Sequence, residues 1–280
     1  MPLTNSNEYH PRNHWWYVWI PIFGSFIWFG TILSMLITWL AQGGTSRPRY
    51  SSQSQSIAYI SDVGADILKP LFIVGCSITA VAFFLSLVIE RYLRHSGRLI
   101  PTMRRREKVF SVLAVLGSVI GGAGLILLSV FDTKRHMNLH RVFLLMFMVG
   151  VALSAIFTCI EVHAPLRSLS AYSPDCQYRW ISKDFHYLRE LRAAYIAKGI
   201  IVSILVVLAI AFGAALFTRK AFNAGAILEW TISLGFTFYL LTFYFDLRQA
   251  KGVHKGQLNA QTMQNQRRWV MMRERFGRTR

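Results

Sequence analysis

Six long apolar runs, separated by polar and charged stretches, dominate the hydrophobic pattern of the chain. They lie near Trp16–Leu40, Pro70–Ile89, Val109–Phe131, Arg141–Ile160, Ala193–Phe217 and Ala226–Phe245. Each holds about twenty apolar residues or more, the length needed to cross a hydrocarbon core of roughly 30 Å as a helix. In lipid, an isolated segment satisfies its backbone groups only as a helix. The pattern therefore predicts an all-α, polytopic membrane protein, a bundle of six transmembrane helices. Residues 1–15 form a short leading segment, 16–245 the membrane domain and 246–280 a basic tail. The first run is longer than a signal-peptide core and its leader offers only Arg12 as a firm positive charge, so it is expected to be a retained helix. Trp15, Trp16, Tyr17 and Trp19 suit an interfacial aromatic belt, and equally a set of packed aromatics.

Composition agrees with this pattern. Of 280 residues 53% are hydrophobic and 16% charged, and the mean hydropathy is +0.36. The net charge of +18 is unevenly placed. Loop 90–108 carries Arg91, Arg94, Arg98, Arg104, Arg105, Arg106 and Lys108, loop 161–192 carries five more cations, and the tail carries nine Lys or Arg against Asp246 and Glu274. The intervening loops are far less basic. The positive-inside rule puts both termini in the cytosol and loops 41–69, 132–140 and 218–225 on the exoplasmic or lumenal side. Basic charge flanking spans suits anionic lipid, and no nucleic-acid motif accompanies it. Arg104, Arg105 and Arg106, with Arg267, Arg268, Arg273 and Arg275 of the tail, are the candidate anionic-lipid contacts. In a helical tail, Trp269, Met272 and Phe276 would form an apolar stripe beside those arginines; a disordered basic tail is the alternative.

Polar residues gather on the outer side. In IAYISDVGADILKP, Ser61 or Asp62 is placed to cap a helix leading into the second span, and Gly64 to allow a close approach or a positive φ. Asp62 and Asp66, four apart, would share a helix face. In FDTKRHMNLH, Asp132, His136 and His140 recur every four residues, which is metal-ligand spacing on a continuous helix. This stretch is also the expected turn between spans three and four, which breaks that face. A hydrogen-bonded outer cluster of Ser61, Asp62, Gly64, Asp66, Asp132, His136 and His140, structural or headgroup-binding, is the favoured reading over a metal site, and no cofactor is expected.

Within the spans, LGSVIGGAG places Gly117, Gly121, Gly122 and Gly124 on the third helix, where small residues let helices approach closely. Lys198 and Glu229 lie near span ends and are expected to snorkel. No ion pathway, Walker loop, nucleophile elbow or zinc-protease motif stands out. Cys76, Cys159 and Cys176 imply no disulfide framework; Cys159 and Cys176 are candidate palmitoylation positions, with unmodified thiols the simpler expectation.

YISDVGA before the second span, LGSVIGGAGLILLSVFD in the third and HMNLHRVFLLMFMVG opening the fourth resemble the Frag/DRAM/Sfk family of six-span eukaryotic membrane proteins. The I-S-D-x-G element maps to Ile60, Ser61, Asp62 and Gly64, and the histidine opening span four to His140. The resemblance implies one of three roles: autophagy and lysosome regulation in DRAM-like members, GPI-anchor lipid remodelling in Frag-like members, and phosphatidylinositol 4-kinase recruitment and phospholipid asymmetry at the plasma membrane in Sfk-like members. The wording of the motif and the basic inner segments look most like the fungal Sfk branch. The expectation is a non-enzymatic regulator of lipid organisation or phosphoinositide signalling, partnered by anionic phospholipids, phosphoinositides and a peripheral kinase complex. The plasma membrane is the favoured location, with Golgi, ER and lysosome or vacuole as alternatives. A lipid- or GPI-anchor-remodelling enzyme or subunit acting at the outer face is the competing expectation. No catalytic residue set comes with the resemblance.

Overall fold

The computed structural model describes residues 15–46, 50, 53, 55–96, 105–171, 181–217, 221–248 and 250, with backbone only at 105–107, 162–171 and 181–193. Among these there are helices and no strand. Six of them are long and apolar enough to span a membrane. α1 (Trp19–Ala41) follows a short 3-10 turn. The five-residue α2 (Ile60–Gly64) precedes α3 (Lys69–His95). Next come α4 (Arg105–Val130), α5 (Met137–Ala171), α6 (Ile181–Phe217) and α7 (Phe222–Arg248).

α5 and α6 run well past the apolar stretches that announced them, to Ala171 and from Ile181, so much of segment 161–192 is helical. The reason is that helix continuation is set by backbone hydrogen bonding, while hydropathy marks only the part in lipid. α7 likewise runs to Arg248, so Asp246, grouped above with the tail, belongs to the last helix. Val18 packs with Leu93, Leu247 and Ala250, which brings the start of the first span and the ends of α3 and α7 to one end of the bundle. That end is called the terminal end below. α2 and the α4–α5 turn occupy the opposite, loop end.

The long helices close a ring in the order α1, α3, α4, α5, α6, α7, with α3 and α7 also touching across its centre. Close packing, not water exclusion, holds helices together in lipid, so backbone proximity is the relevant quantity. It is greatest between α4 and α5. A Cβ on Gly117 would stand 2.8 Å from the Ser154 nitrogen, one on Gly121 2.9 Å from the Val151 nitrogen, and one on Gly124 2.5 Å from the Phe147 nitrogen. Gly122 faces another way, toward α3, at ordinary contact distance from Ala80.

The centre is aromatic. The Phe83 ring meets Phe236, Tyr239 and Phe243 edge-on at 5.8–6.1 Å, and Trp28 and Phe147 meet Phe236 the same way at 5.7 Å. Such edge-to-face contacts suit the ring quadrupoles. The Trp28 indole nitrogen donates to the Ser233 carbonyl at 2.8 Å, pinning α1 to α7. Several Ser and Thr hydroxyls in the spans donate back to carbonyls of the preceding turn, as in Ser86 to Ala82 and Thr158 to Ser154. This disposes of their polarity without a partner helix.

Candidate polar sites at the two ends of the bundle

At the loop end the chain folds back so that α2 plugs the bundle. Tyr59 is the N-cap of α2, and Asp62, at the third helical position, reaches back to accept the Tyr59 N–H at 3.4 Å. This is the carboxylate half of a capping box. Asp62, 2% exposed, also accepts from the Gln55 side chain at 3.2 Å and from the Thr133 hydroxyl at 3.3 Å. The Ile60 N–H, another orphan donor of the first turn, is taken by Glu229 of α7 at 2.7 Å. Trp230 donates its indole N–H to the Ala58 carbonyl at 3.0 Å, and Asn223 accepts the Ser56 and Ile57 N–H groups at 2.9 and 3.0 Å. The acidic, glycine-bearing stretch is thus a staple. It ties loop 50–68 to the α4–α5 turn through Asp62 and to α7 through Glu229, Asn223 and Trp230.

Gly64 serves close approach: a Cβ there would stand 2.7 Å from the Phe72 ring. Its φ is not positive; among the described glycines only Gly43 and Gly44 adopt that conformation. Asp66 does not share a face with Asp62. α2 ends at Gly64, and Asp66 falls in the turn beyond it, exposed. It leaves the cluster for that reason.

The α4–α5 turn separates Asp132, His136 and His140. Asp132 is buried, accepting the Arg135 N–H at 2.7 Å and pairing with the Lys69 ammonium. Burial pushes the Asp132 carboxyl up, but Lys69 and the Arg135 N–H outweigh this and hold it below the usual carboxylate range. His140, 2% exposed, points Nδ1 at the Leu128 and Phe131 carbonyls at 2.9 and 3.0 Å. Those carbonyls close α4, so with the proton assigned to Nδ1 the imidazole is a C-terminal cap for the preceding helix. His136 is exposed, its ring against Phe131. The D-x3-H-x3-H spacing therefore does not converge. Among the described residues no three His, Cys, Asp or Glu side chains are placed to hold a metal. Tyr59 sits beside this cluster; burial, then the Glu229 and Asp62 carboxylates, pushes its phenol up to about 12.

A second polar group, at the terminal end, was not anticipated from the sequence. Glu90 of α3 accepts both Nε and a terminal nitrogen of Arg94 at 3.2 and 2.7 Å, and Arg94 donates on to the Tyr195 hydroxyl at 3.0 Å. Arg91 pairs with Glu161 of α5 and donates to Thr158 at 3.1 Å. Lys198 of α6 pairs with Asp246 of α7 at 2.5 Å, its ammonium 3.8 Å from the Phe243 ring centre. Three carboxylates and three cations, from α3, α5, α6 and α7, thus balance inside the bundle.

The snorkelling expected of Lys198 and Glu229 is overturned. Lys198 is 1% exposed and paired, and Glu229 turns inward to cap α2. A charge this far from water is tolerated only with a partner. The apolar runs end at Ile89, Ile160 and Phe245, one residue short of Glu90, Glu161 and Asp246, so a hydropathy boundary discards the partners. The i,i+4 pair Glu90/Arg94 was the one legible signal. Of the remaining candidates, Cys159 is partly buried in α5, and Cys176 lies outside the described residues. Arg104, Arg267, Arg268, Arg273 and Arg275 also lie outside them, and Arg105 and Arg106 are placed by backbone only.

A six-helix membrane bundle, plugged at one end by a capped helix and locked at the other by balanced ion pairs, defines the class. Comparison with known sequences gives the family. The profile of the Frag1/DRAM/Sfk1/Cwh43P N-terminal domain matches residues 16–250. The chain belongs to this family, in its Sfk-like branch. It is 27% identical over 252 residues to Protein sfk1 of Schizosaccharomyces pombe, covering 88% of this chain and 69% of the relative. To Protein SFK1 of Saccharomyces cerevisiae it is 26% identical, covering 86% of this chain and 80% of the relative. No solved structure matches it.

Proposed function

We propose that the protein is a non-enzymatic integral membrane regulator of lipid organisation or phosphoinositide signalling, oriented with its terminal end in the cytosol. The observation that carries this reading is what the outer polar residues are used for. Asp62, Asp132, His140 and Glu229 are turned inward and joined to backbone and side-chain groups that hold loop 50–68, the α4–α5 turn and α7 together. A general acid, base or metal ligand has to face a substrate. Among the described residues the competing role, lipid or GPI-anchor remodelling at the outer face, finds no such arrangement.

The charge available for ligands is instead the basic surplus of residues 98–108 and the tail. It suits anionic headgroups, with each Lys or Arg near such a surface contributing about 1 kcal/mol. A peripheral kinase complex docked on the same surface fits the Sfk-like membership. The plasma membrane is the location that goes with it.

The test is binding of a short-chain phosphatidylinositol 4-phosphate to detergent-purified protein. Arg104→Gln, Arg105→Gln and Arg106→Gln together are expected to weaken it at least tenfold, with a shallower salt dependence. Topology is checked in parallel, because these arginines also orient the chain. Unchanged affinity with unchanged topology would sink the reading.

A further inference from the structure

The ion pairs at the terminal end leave three buried polar atoms over. Both Arg94 bonds to Glu90 land on Oε1, and Glu90 Oε2 has no hydrogen-bond partner among the protein groups. Arg91 directs its terminal nitrogens at Glu161 and Thr158, which leaves its Nε unpartnered. Tyr239, 0% exposed, has a hydroxyl in the same position. The three groups are neighbours. The Arg91 guanidinium stands 3.9 Å from Glu90 Oε1, and Glu90, Asp246 and Arg91 are among the charges acting on the Tyr239 hydroxyl. Each atom alone would carry the cost of a buried polar group without a partner, and a buried ion pair is favourable only when its remaining lone pairs and protons are satisfied.

We infer that this corner of the bundle is a water-binding site, in which ordered water accepts from Arg91 Nε and the Tyr239 hydroxyl and donates to Glu90 Oε2. Three partners are the usual number for a buried water. Room lies against Tyr239, in an apolar recess of about 60 Å³ between α5, α6 and α7 that also has Ala155 and Val202 among its walls. One water needs roughly 10–15 Å³ of such space. The walls hold almost no polar surface, so water is retained only at the hydroxyl end. Arg91, the most exposed of the six paired charges at 11%, is where solvent enters. The water supplies a tie that the side chains do not. α3 and α7 meet at the centre through the Phe83 ring against Tyr239 and Phe243, and among the described residues no ion pair joins them. With water in place, Glu90 and Arg91 of α3 are linked to Tyr239 of α7, whose ring centre is 5.9 Å from the Lys198 ammonium. The charges on α3, α5, α6 and α7 then act as one hydrated network opening to the terminal end.

Two measurements on the full-length protein test this. The first is the melting temperature of Tyr239→Phe in detergent. A hydroxyl with no partner would make the change neutral or stabilising, because a desolvated group is removed. A hydroxyl bonded to bound water makes it destabilising, and a fall of roughly 2–4 °C is expected. The second uses the wild type in nanodiscs equilibrated with oxygen-18 water and pulsed with X-rays, so that radicals formed from bound water leave the heavy oxygen on adjacent side chains, read by mass spectrometry. Tyr239 is expected to take up the label several times faster than Phe236, which is 3% exposed and lines the same recess. An unchanged or raised melting temperature for Tyr239→Phe overturns the inference. So does labelling of Tyr239 no faster than that of Phe236, even beside a lowered melting temperature, since the hydroxyl would then be bonded to the protein itself.

Discussion

Lys198 and Asp246 offer the sharpest prediction about what the buried charges do. The two side chains are 1% and 2% exposed and 2.5 Å apart. At an effective dielectric of about 20, charges at this separation attract by roughly 7 kcal/mol. Taking each ion out of water costs several kcal/mol, so the pair as a whole is close to neutral for stability. Removing one partner is different. Lys198→Met keeps the stem that packs on Phe243 and leaves the Asp246 carboxylate unpaired in the bundle, for an expected loss of about 3–5 kcal/mol. Lys198→Met with Asp246→Leu should recover most of it, because Glu90, Glu161, Arg91 and Arg94 remain balanced without them. The assay is unfolding in mixed detergent micelles, followed by tryptophan fluorescence for wild type, both singles and the double. A double variant as unstable as the sum of the singles would refute the reasoning, since it would mean the two groups act independently.

Other outcomes follow from the same geometry. Gly121→Leu places atoms where the Val151 backbone stands and should force α4 from α5, lowering folded yield and costing at least about 1–3 kcal/mol, whereas Gly122→Ala, which meets Ala80 at ordinary contact distance, should be tolerated; size-exclusion profiles and melting temperatures compare them. Glu229→Ala strips the acceptor from the Ile60 N–H, and a loss of about 1–3 kcal/mol is expected in the same melting assay. Asp132, whose carboxyl is held low in the folded state, stabilises the protein above its ordinary pKa of about 3.9, and that contribution is lost as the pH falls through the lower folded value. The melting-temperature gap between wild type and Asp132→Asn should therefore be full at pH 6 and shrink below pH 4.

The spans were legible because twenty-residue apolar runs have one physical solution in lipid. The glycines of α4 were legible as contact residues because nothing but packing recommends Gly117, Gly121 and Gly124 in a helix. What stayed hidden was direction. Asp132, His136 and His140 recur at helical spacing, yet the helix breaks at residues 131–136, so one residue pairs with Lys69, one faces outward and one caps α4. Only the fold shows that Glu229 of α7 serves α2, some 170 positions earlier. The terminal-end ion pairs were missed for a related reason. Each charge borders a span, where a lone Lys or Glu is expected to reach for water, and only the packing of α3, α5, α6 and α7 brings the opposite signs together.

The claim that the outer polar residues hold the fold and perform no chemistry is tested most directly with Asp62→Ala and His140→Ala. Folded yield and melting temperature in detergent are measured beside a cellular readout of phospholipid distribution between leaflets. Stability and function are expected to fall together for both variants. Variants that stay folded with wild-type melting temperatures and yet abolish the cellular effect would contradict it, and would make the loop end an active or lipid-binding site.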